Sequence, residues 1–481
     1  MLIISLLLLV VSIFADDPYN CTRTQTINPP ANISTPVIYP ATWNPSKGAP
    51  QYASGQSCSW IVNVPKGMYA LLQIKATTNE STTLQVNDST GYVTIIQLAD
   101  MEPFFLMDPS FRIDLHANKI GTFGMRIRWS IVQNASSTAW RTRQRSSPQT
   151  MFGSDFDNVT TIEADTRVNL LTLSPTRFSG DSSRLLRNTQ VYDGNSIEAK
   201  HIGNLYQIHK NGARFVSTGK YLTLRSLLPG YYAVGNGVIV QDYEDVKPFH
   251  SYKAINCIME APCNVLLDAT NGTAAAIRYS DEVIYMRNIK MTETNKISVY
   301  TDFVTDAHKL TDYLSTNINT TIPQKLNGQY TTFVLDKDHA IVSLTSDGTN
   351  WTSGFGGRRG FMTSPNYAIN SNNQNFEDKI YSTSSKSSKI SFYIDKASIP
   401  YGVTTISILR DRNTVFNATY SLENLPEDST ISAIGDTLSV QYQLNPTVYS
   451  KGIYISFGFD ENGSAGMVFS ILLIAIVSIF I

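Results

Sequence analysis

Charge of either sign is scarce. Of 481 residues 16% are charged, Lys and Arg number 38 against 39 Asp and Glu, and the formal net charge is −1. A near-neutral chain offers no electrostatic case for nucleic acid or for an acidic membrane surface. Cysteine is scarcer, with Cys21, Cys58, Cys257 and Cys263 alone, and neither a CxxC pair nor paired histidines accompany them, so they make no zinc signature. The six histidines, His116, His201, His209, His250, His308 and His339, are scattered, and His201 and His209 stand too far apart to meet at i,i+4 of a helix. HExxH, GxSxG and Walker A patterns are absent, which removes the common hydrolase and nucleotide-binding signatures. The glycine-rich stretch 354–360 precedes a turn, whereas a phosphate cradle needs a helix N-terminus. No catalytic, cofactor-binding or metal residues are expected, and no cofactor.

Long apolar runs occur only at the ends. Residues 1–14 are almost wholly apolar and lead to Ala15 before Asp16-Asp17-Pro18. That is far short of the ~20 residues a spanning helix needs, so 1–15 read as a cleaved signal peptide. Residues 467–481 carry no charge. At ~1.5 Å per residue they cross a ~30 Å hydrocarbon core poorly, and no Lys or Arg follows as an anchor. Small residues before an apolar tail fit a GPI-attachment signal over 463–481, with Asn462, Gly463 and Ser464 as attachment candidates. A short membrane anchor is the alternative. In a secreted chain four cysteines imply two disulfides, with three connectivities open.

What remains is rich in Ser, Thr, Asn and aromatics, a composition suited to β-rich extracellular domains. The length allows two to four of them. Residues 36–65 read PVIYPATWNPSKGAPQYASGQSCSWIVNVP. Trp60, Val62 and Val64 alternate with Ser59, Ile61 and Asn63, a strand with one buried face. Pro65-Lys66-Gly67 turns the chain, and 69–76 return with Ala70, Leu72, Ile74 and Ala76 on one face. Leu84 and Val86 mark a further strand, residues 92–98 another. Two clean alternations follow: Phe111, Ile113, Leu115 and Ala117, then Phe123, Met125, Ile127, Trp129 and Ile131. His116, Arg126 and Arg128 fall on the outward, solvated phase. Residues 21–133 thus predict one antiparallel sandwich.

Residues 134–150, with Arg141, Arg143 and Arg145, read as a polar linker. Residues 151–345 form a β-rich middle region, with strands at 170–173, 221–227, 231–240, 283–291 and 297–303 and one short helix at 306–315. Residues 346–460 repeat the first domain in outline, without cysteines. Here 390–394 stand for the Trp60 strand, 406–411 for 84–88, Leu438 to Leu444 for the Phe111 strand, and Ile453 to Phe459 for the Phe123 strand. The predicted fold class is all-β.

The frame Tyr39-Pro40, Cys58-x-Trp60-x-Val62-x-Val64-Pro65-x-Gly67-x-Tyr69 resembles the first third of a CUB domain, and is most similar to the nematode CUB-like family. Ser364-Pro365-Asn366-Tyr367 resembles the entry turn of such domains. The resemblance implies two CUB-like antiparallel sandwiches, 21–133 and 346–460, flanking the middle region. It implies pairing of Cys21 with Cys58, which leaves Cys257 with Cys263 in a small loop. The calcium site of many CUB domains would call on Glu80 and Asp88, but Thr82-Thr83-Leu84 and Thr404-Thr405-Ile406 lack its central Asp, so no metal is expected.

Eleven N-x-S/T sequons occur. Asn20 abuts Cys21 and Asn462 competes with lipid attachment. Glycosylation is expected at Asn32, Asn79, Asn87, Asn134, Asn158, Asn271, Asn319, Asn350 and Asn417. The family resemblance implies a GPI-anchored binding glycoprotein on the extracellular face of the plasma membrane, in rafts or shed, acting in innate defence against microbes. Its partner would be an extracellular protein or glycan met by loops at the sheet ends. Two alternatives are a structural or adhesive surface-coat glycoprotein, and an enzyme with an unrecognised site in 151–345.

Overall fold

The computed structural model describes residues 18–21, 24–132, 137–156, 159–174, 182–232, 235–257, 263–280, 282–384, 387–395 and 402–461. The signal segment 1–15, the attachment candidates Asn462, Gly463 and Ser464, and the sequons Asn134 and Asn158 lie outside them. The chain divides into two compact units, one ending at Asp242 and one running from Tyr243, which also takes in 144–149.

In the first unit, ten strands build the first sandwich: β1 (Thr24–Ile27), β2 (Val37–Tyr39), β3 (Gln51–Tyr52), β4 (Gln56–Asn63), β5 (Met68–Thr77), β6 (Thr82–Asn87), β7 (Val93–Ile95), β8 (Leu98–Met107), β9 (Ser110–Ala117) and β10 (Gly121–Ile131). One sheet runs β1-β4-β9-β6-β7, the other β2-β10-β5-β8 with β3 on β10. β1 lies parallel to β4. The expected strand at 92–98 is two pieces, β7 and the start of β8. β8 tolerates Pro103 because it is an edge strand, where a missing N–H breaks no ladder. The inward phase of β4 is as the alternation requires. Trp60 is 0% exposed and packs on Tyr39 and Phe123, with ring centroids at 4.9 and 5.3 Å.

A second sandwich follows in the same unit. Its five-stranded sheet runs Ser137–Thr142, Val159–Ala164, Tyr221–Ser226, Thr189–Asp193, Lys200–Asn204, and its four-stranded sheet Gln149–Phe152, Gly237–Asp242, Val168–Leu173, Arg214–Val216. Strands thus occupy much of 134–150, read above as a linker. Ser137–Thr142 pairs parallel with Val159–Ala164 as β1 does with β4, and Arg141 faces Glu163 at 3.9 Å. Half-exposed edge strands of this kind carry little hydrophobic alternation. The short helix α1 (Leu205–Lys210) starts at Asn204, whose side chain and that of Gln207 close a capping box.

The second unit repeats the plan twice. The third sandwich orders Ser251–Asn256, Ala274–Tyr279, Tyr330–Leu335, Lys296–Thr301, Lys309–Leu314 against Cys263–Ala269, Asp338–Thr345, Ile284–Met291, Gln324–Leu326. The fourth orders Ser353–Gly354, Phe376–Ser382, Thr437–Leu444, Gly402–Arg410, Asn413–Tyr420 against Arg358–Thr363, Tyr454–Glu461, Ser388–Asp395, Ile431–Gly435. Leaving β3 aside, all four sandwiches share one strand order, and in each the first strand is parallel to the third.

Two expectations are corrected here. The helix read at 306–315 is a 3-10 turn, Asp306–His308, followed by the strand Lys309–Leu314. Leu310 and Tyr313 are both buried at i,i+3, which mimics a helix. The cause is a bulge opposite Val299/Tyr300, which inserts Leu310 as an extra residue. In the fourth sandwich Phe376–Ser382 takes the place of the Trp60 strand, and Ser388–Asp395, which contains 390–394, takes that of β5. Glu377, Asp378 and Lys379 hid the former from any hydrophobic pattern. The other three strand correspondences match the observed order.

Candidate functional site

A polar cluster of the first sandwich lies on the outward phase of β9. Asp114 is only 3% exposed there. Its carboxylate accepts from Ser59 Oγ, Arg112 Nε (2.6 Å), Asn87 Nδ2 (3.0 Å) and Gln85 Nε2 (3.4 Å). Arg112 also donates to Ser59 Oγ at 2.9 Å. Burial pushes the Asp114 carboxyl up, and hydrogen bonds from Ser59, Arg112 and Gln85 outweigh it and hold it below the usual range. A carboxylate with this many donors stitches β4, β6 and β9 together and has nothing left for a ligand. Alternation alone put Asp114 in water; neighbours on two other strands bury it.

On the same face Ser57 Oγ and His116 Nδ1 stand 2.8 Å apart. The two residues are direct cross-strand partners on an open sheet. Among the described residues no carboxylate orients the imidazole, so the pair lacks what activates a nucleophile.

The β6–β7 turn meets the second sandwich within the first unit. Asp88 Oδ1 accepts from Thr90 N (2.8 Å), Thr90 Oγ1 (2.7 Å) and Tyr92 N (3.0 Å), and Oδ2 accepts from Gln207 Nε2. Both oxygens of Asp88, which the resemblance would call on for calcium, thus accept hydrogen bonds from the chain itself. Among the described residues no group of three or more His, Cys, Asp or Glu could hold a metal. Beside Asp88, the Arg187 guanidinium lies between the rings of Phe104 (3.9 Å) and Tyr206 (4.4 Å) and donates to the Pro103 carbonyl at 3.3 Å. Asp88, Arg187, Phe104 and Tyr206, with Tyr92 and Gln207, line a cavity about the size of one water. This is a joint between sandwiches rather than a ligand pocket.

The remaining histidines do not converge. His201 Nε2 meets Gln190 Oε1 at 3.0 Å, and burial pushes its pKa down. His209 Nδ1 meets Thr172 Oγ1 at 3.1 Å. His308 is buried edge-on to Phe303, with centroids 4.0 Å apart. His250 is exposed, and His339 pairs with Asp268 on the surface at 3.3 Å. One carboxyl stands out that sequence reasoning missed. Asp302 is 2% exposed, has a left-handed φ of 58°, and accepts one hydrogen bond, from Ser147 Oγ at 2.8 Å. Burial pushes its pKa up to about 6 against the smaller opposing effect of Ser147.

Two disulfides are present. Cys21 pairs with Cys58 and Cys257 with Cys263, at Cα separations of 6.0 and 5.6 Å. The first ties the N-terminal segment to β4. Among the described sequons, Asn32, Asn271, Asn319, Asn350 and Asn417 are exposed. Asn79 and Asn87 are half-buried, and their amides donate to the Ile120 carbonyl and to Asp114.

A family described as CUB-like domain matches residues 16–133, the span of the first sandwich. The chain contains a CUB-like domain. Two families described as domains of unknown function cover 142–227 (DUF7592) and 244–347 (DUF7591), largely the second and third sandwiches. The fourth lies beyond these spans. No curated protein matches the sequence. Among solved structures, the CUB1-EGF-CUB2 domains of rat MASP-1 align at 10% identity over 43% of this chain and 100% of theirs, with a TM-score of 0.16. The corresponding human MASP-1/3 fragment aligns at 11% identity over 43% and 98%, with a TM-score of 0.17. The full extracellular region of zebrafish Gpr126/Adgrg6 aligns at 8% identity over 89% and 53%, with a TM-score of 0.19. Similarity at this level says nothing of function. Among the described residues no helix is long and apolar enough to cross a membrane.

Proposed function

We propose that this CUB-like domain protein is an extracellular, GPI-anchored binding glycoprotein that acts in innate defence, recognising a protein or glycan through loops at the sheet ends. The CUB-like match at 16–133 carries the extracellular binding role. Two disulfides support an oxidising compartment. The apolar 467–481 after Asn462-Gly463-Ser464 supports the lipid anchor. The defence role rests on the family resemblance alone. Polar clusters of the CUB-like domain are satisfied by their own neighbours, which favours binding over catalysis.

Repetition of one strand order favours a second reading, an adhesive or structural coat, in which number and spacing of copies matter more than one ligand. Glycan and protein arrays probed with the purified ectodomain, with and without microbial extract, separate the two. Saturable binding to a defined microbial or host ligand supports recognition. Binding to itself alone supports the coat. Phospholipase specific for GPI should release the protein from cells; retention of a chain that still ends at Ile481 overturns the anchor.

A further inference from the structure

Among the described residues the strands at the β7 position lie at an edge of the five-stranded sheets, and an edge left uncovered invites pairing with another chain. Three of the four are blunted in familiar ways. β7 has only 3 residues. Lys200–Asn204 begins with a lysine. Lys309–Leu314 carries Lys309 and Asp312. The fourth, Asn413–Tyr420, is 8 residues long, reads NTVFNATY, and has neither charge nor proline. Its one irregularity is a bulge at Val415, and from Phe416 to Tyr420 the ladder on Gly402–Arg410 is regular. Val415 is 47% exposed. The neighbouring outer face is uncharged as well, with Thr405, Ser407, Ser439 and Gln441 in register.

Asn417-Ala418-Thr419 is a sequon in the middle of this strand. Asn417 is exposed and faces outward beside Ser407, whose Oγ donates to its Oδ1 at 2.8 Å. Phe416 and Ala418, on the opposite phase, pack against the core of the fourth sandwich. The amide therefore points to solvent from a strand whose alternate residues are held.

We propose that Asn417 carries an N-linked glycan whose role is to block edge-to-edge pairing of the strand Asn413–Tyr420. In the modification the amide nitrogen bonds to the anomeric carbon of an oligosaccharide, the lipid pyrophosphate that carried the sugar leaves, and one amide proton is lost. A branched, hydrated glycan in mid-strand does what Lys or Pro does on the other edges. The proposal rests on the extracellular reading, since the sugar donor is met in the secretory pathway.

The test expresses the full chain in a glycosylating cell line, releases glycans in heavy-oxygen water, and maps converted asparagines by mass spectrometry. Conversion of Asn417 is expected. Asn417→Gln and Thr419→Ala should each raise the dimer and aggregate fraction several-fold by light scattering, while Thr419→Ser, which keeps the sequon, should not. Adding Val415→Lys to Asn417→Gln should restore the monomer. Glycan on Asn271 or Asn350 but none on Asn417 overturns this proposal alone. A glycosylated Asn417 whose loss leaves the monomer fraction unchanged overturns the edge-blocking role. Absence of glycan from every sequon overturns the extracellular reading and this proposal together.

Discussion

Replacing Asp302 by Asn should stabilise the second unit at neutral pH. The carboxyl is pushed from 3.8 up to about 6 because burial penalises its ionised form. Its one side-chain partner, Ser147 Oγ, does not repay that cost. A shift of about 2 units corresponds to about 3 kcal/mol, at about 1.4 kcal/mol per unit. The sign is opposite to that of an ordinary paired aspartate. Above pH ~6 both states are ionised and the folded state bears the full penalty. As pH falls from about 6 toward 3.8 the folded state takes up its proton first, so this group adds stability on acidification. Asn keeps an acceptor for Ser147, tolerates the left-handed φ, and never ionises. The variant's advantage should be near its full size at pH 7.5, shrink below pH 6, and vanish near pH 3.5. Asp114 and Asp312, held low by their own donors, lose stability on acidification in both proteins alike and cancel in the comparison. Thermal melts of wild type and Asp302→Asn across this range would show the gap, at about 2–4 °C per kcal/mol for 150–250 residues. A gap that does not change with pH, or a variant less stable at pH 7.5, refutes the reasoning.

Other outcomes can be checked by secreted yield and melting temperature. Trp60→Ala empties the centre of the first core and should cost about 3–5 kcal/mol, while Ile61→Ala, half-buried on the opposite phase, should cost much less; equal, mild losses would reject the inward register. Cys21→Ser should cost the first sandwich about 2–5 kcal/mol and leave the melt of the second unit unmoved. Lys325 and Asp378 join the third and fourth sandwiches through a pair of 2.7 Å with Asp378 8% exposed. Lys325→Met should cost about 3–5 kcal/mol by stranding that carboxylate, and Lys325→Met with Asp378→Leu should recover most of it. Failure of the double variant to recover would mean that the single loss was one of packing.

Strands with one wet face announced themselves. β4, β9 and β10 alternate cleanly, and each lies where the pattern put it. The strands that escaped did so for three physical reasons. Val168–Leu173 and Gly237–Asp242 are buried on both faces and show no period of two, so their boundaries blurred and the second read as 231–240. Edge strands such as Ser137–Thr142 bury too little to be patterned. Phe376–Ser382 places Asp378 at an inward position, where it meets Lys325 of the neighbouring sandwich, so its logic is legible only once that neighbour is in place. The Asp114 cluster was hidden likewise, because its donors lie on three different strands. The fourfold repeat survives in strand order and parallel first pairs, which are long-range properties, and hardly at all in residue identities.

Divergence between the copies is clearest where one sandwich of a unit meets the next. In each unit a buried arginine of the later sandwich donates to a proline carbonyl of the earlier one. Arg187 reaches Pro103 at 3.3 Å and Arg358 reaches Pro323 at 3.0 Å. Both prolines belong to the β8 position, Pro103 within β8 and Pro323 just before Gln324–Leu326. A proline on an edge has no N–H, so the edge there presents acceptors only, and a guanidinium with five donors is a fitting complement. Desolvation is costly. It lowers the Arg358 pKa to about 10, and stacking on Trp351 at 5.1 Å together with the Ser353 carbonyl offsets part of the cost. Arg187 makes the same bargain between Phe104 and Tyr206. Yet the donors occupy different places. Arg187 precedes the strand at the β6 position, whereas Arg358 opens the strand at the β2 position. The acceptor follows from the shared topology, and the donor does not. Each unit has therefore met the same problem of an open, proline-marked edge with a separately placed arginine, as expected of copies whose backbone plan is fixed while their surfaces are free to change.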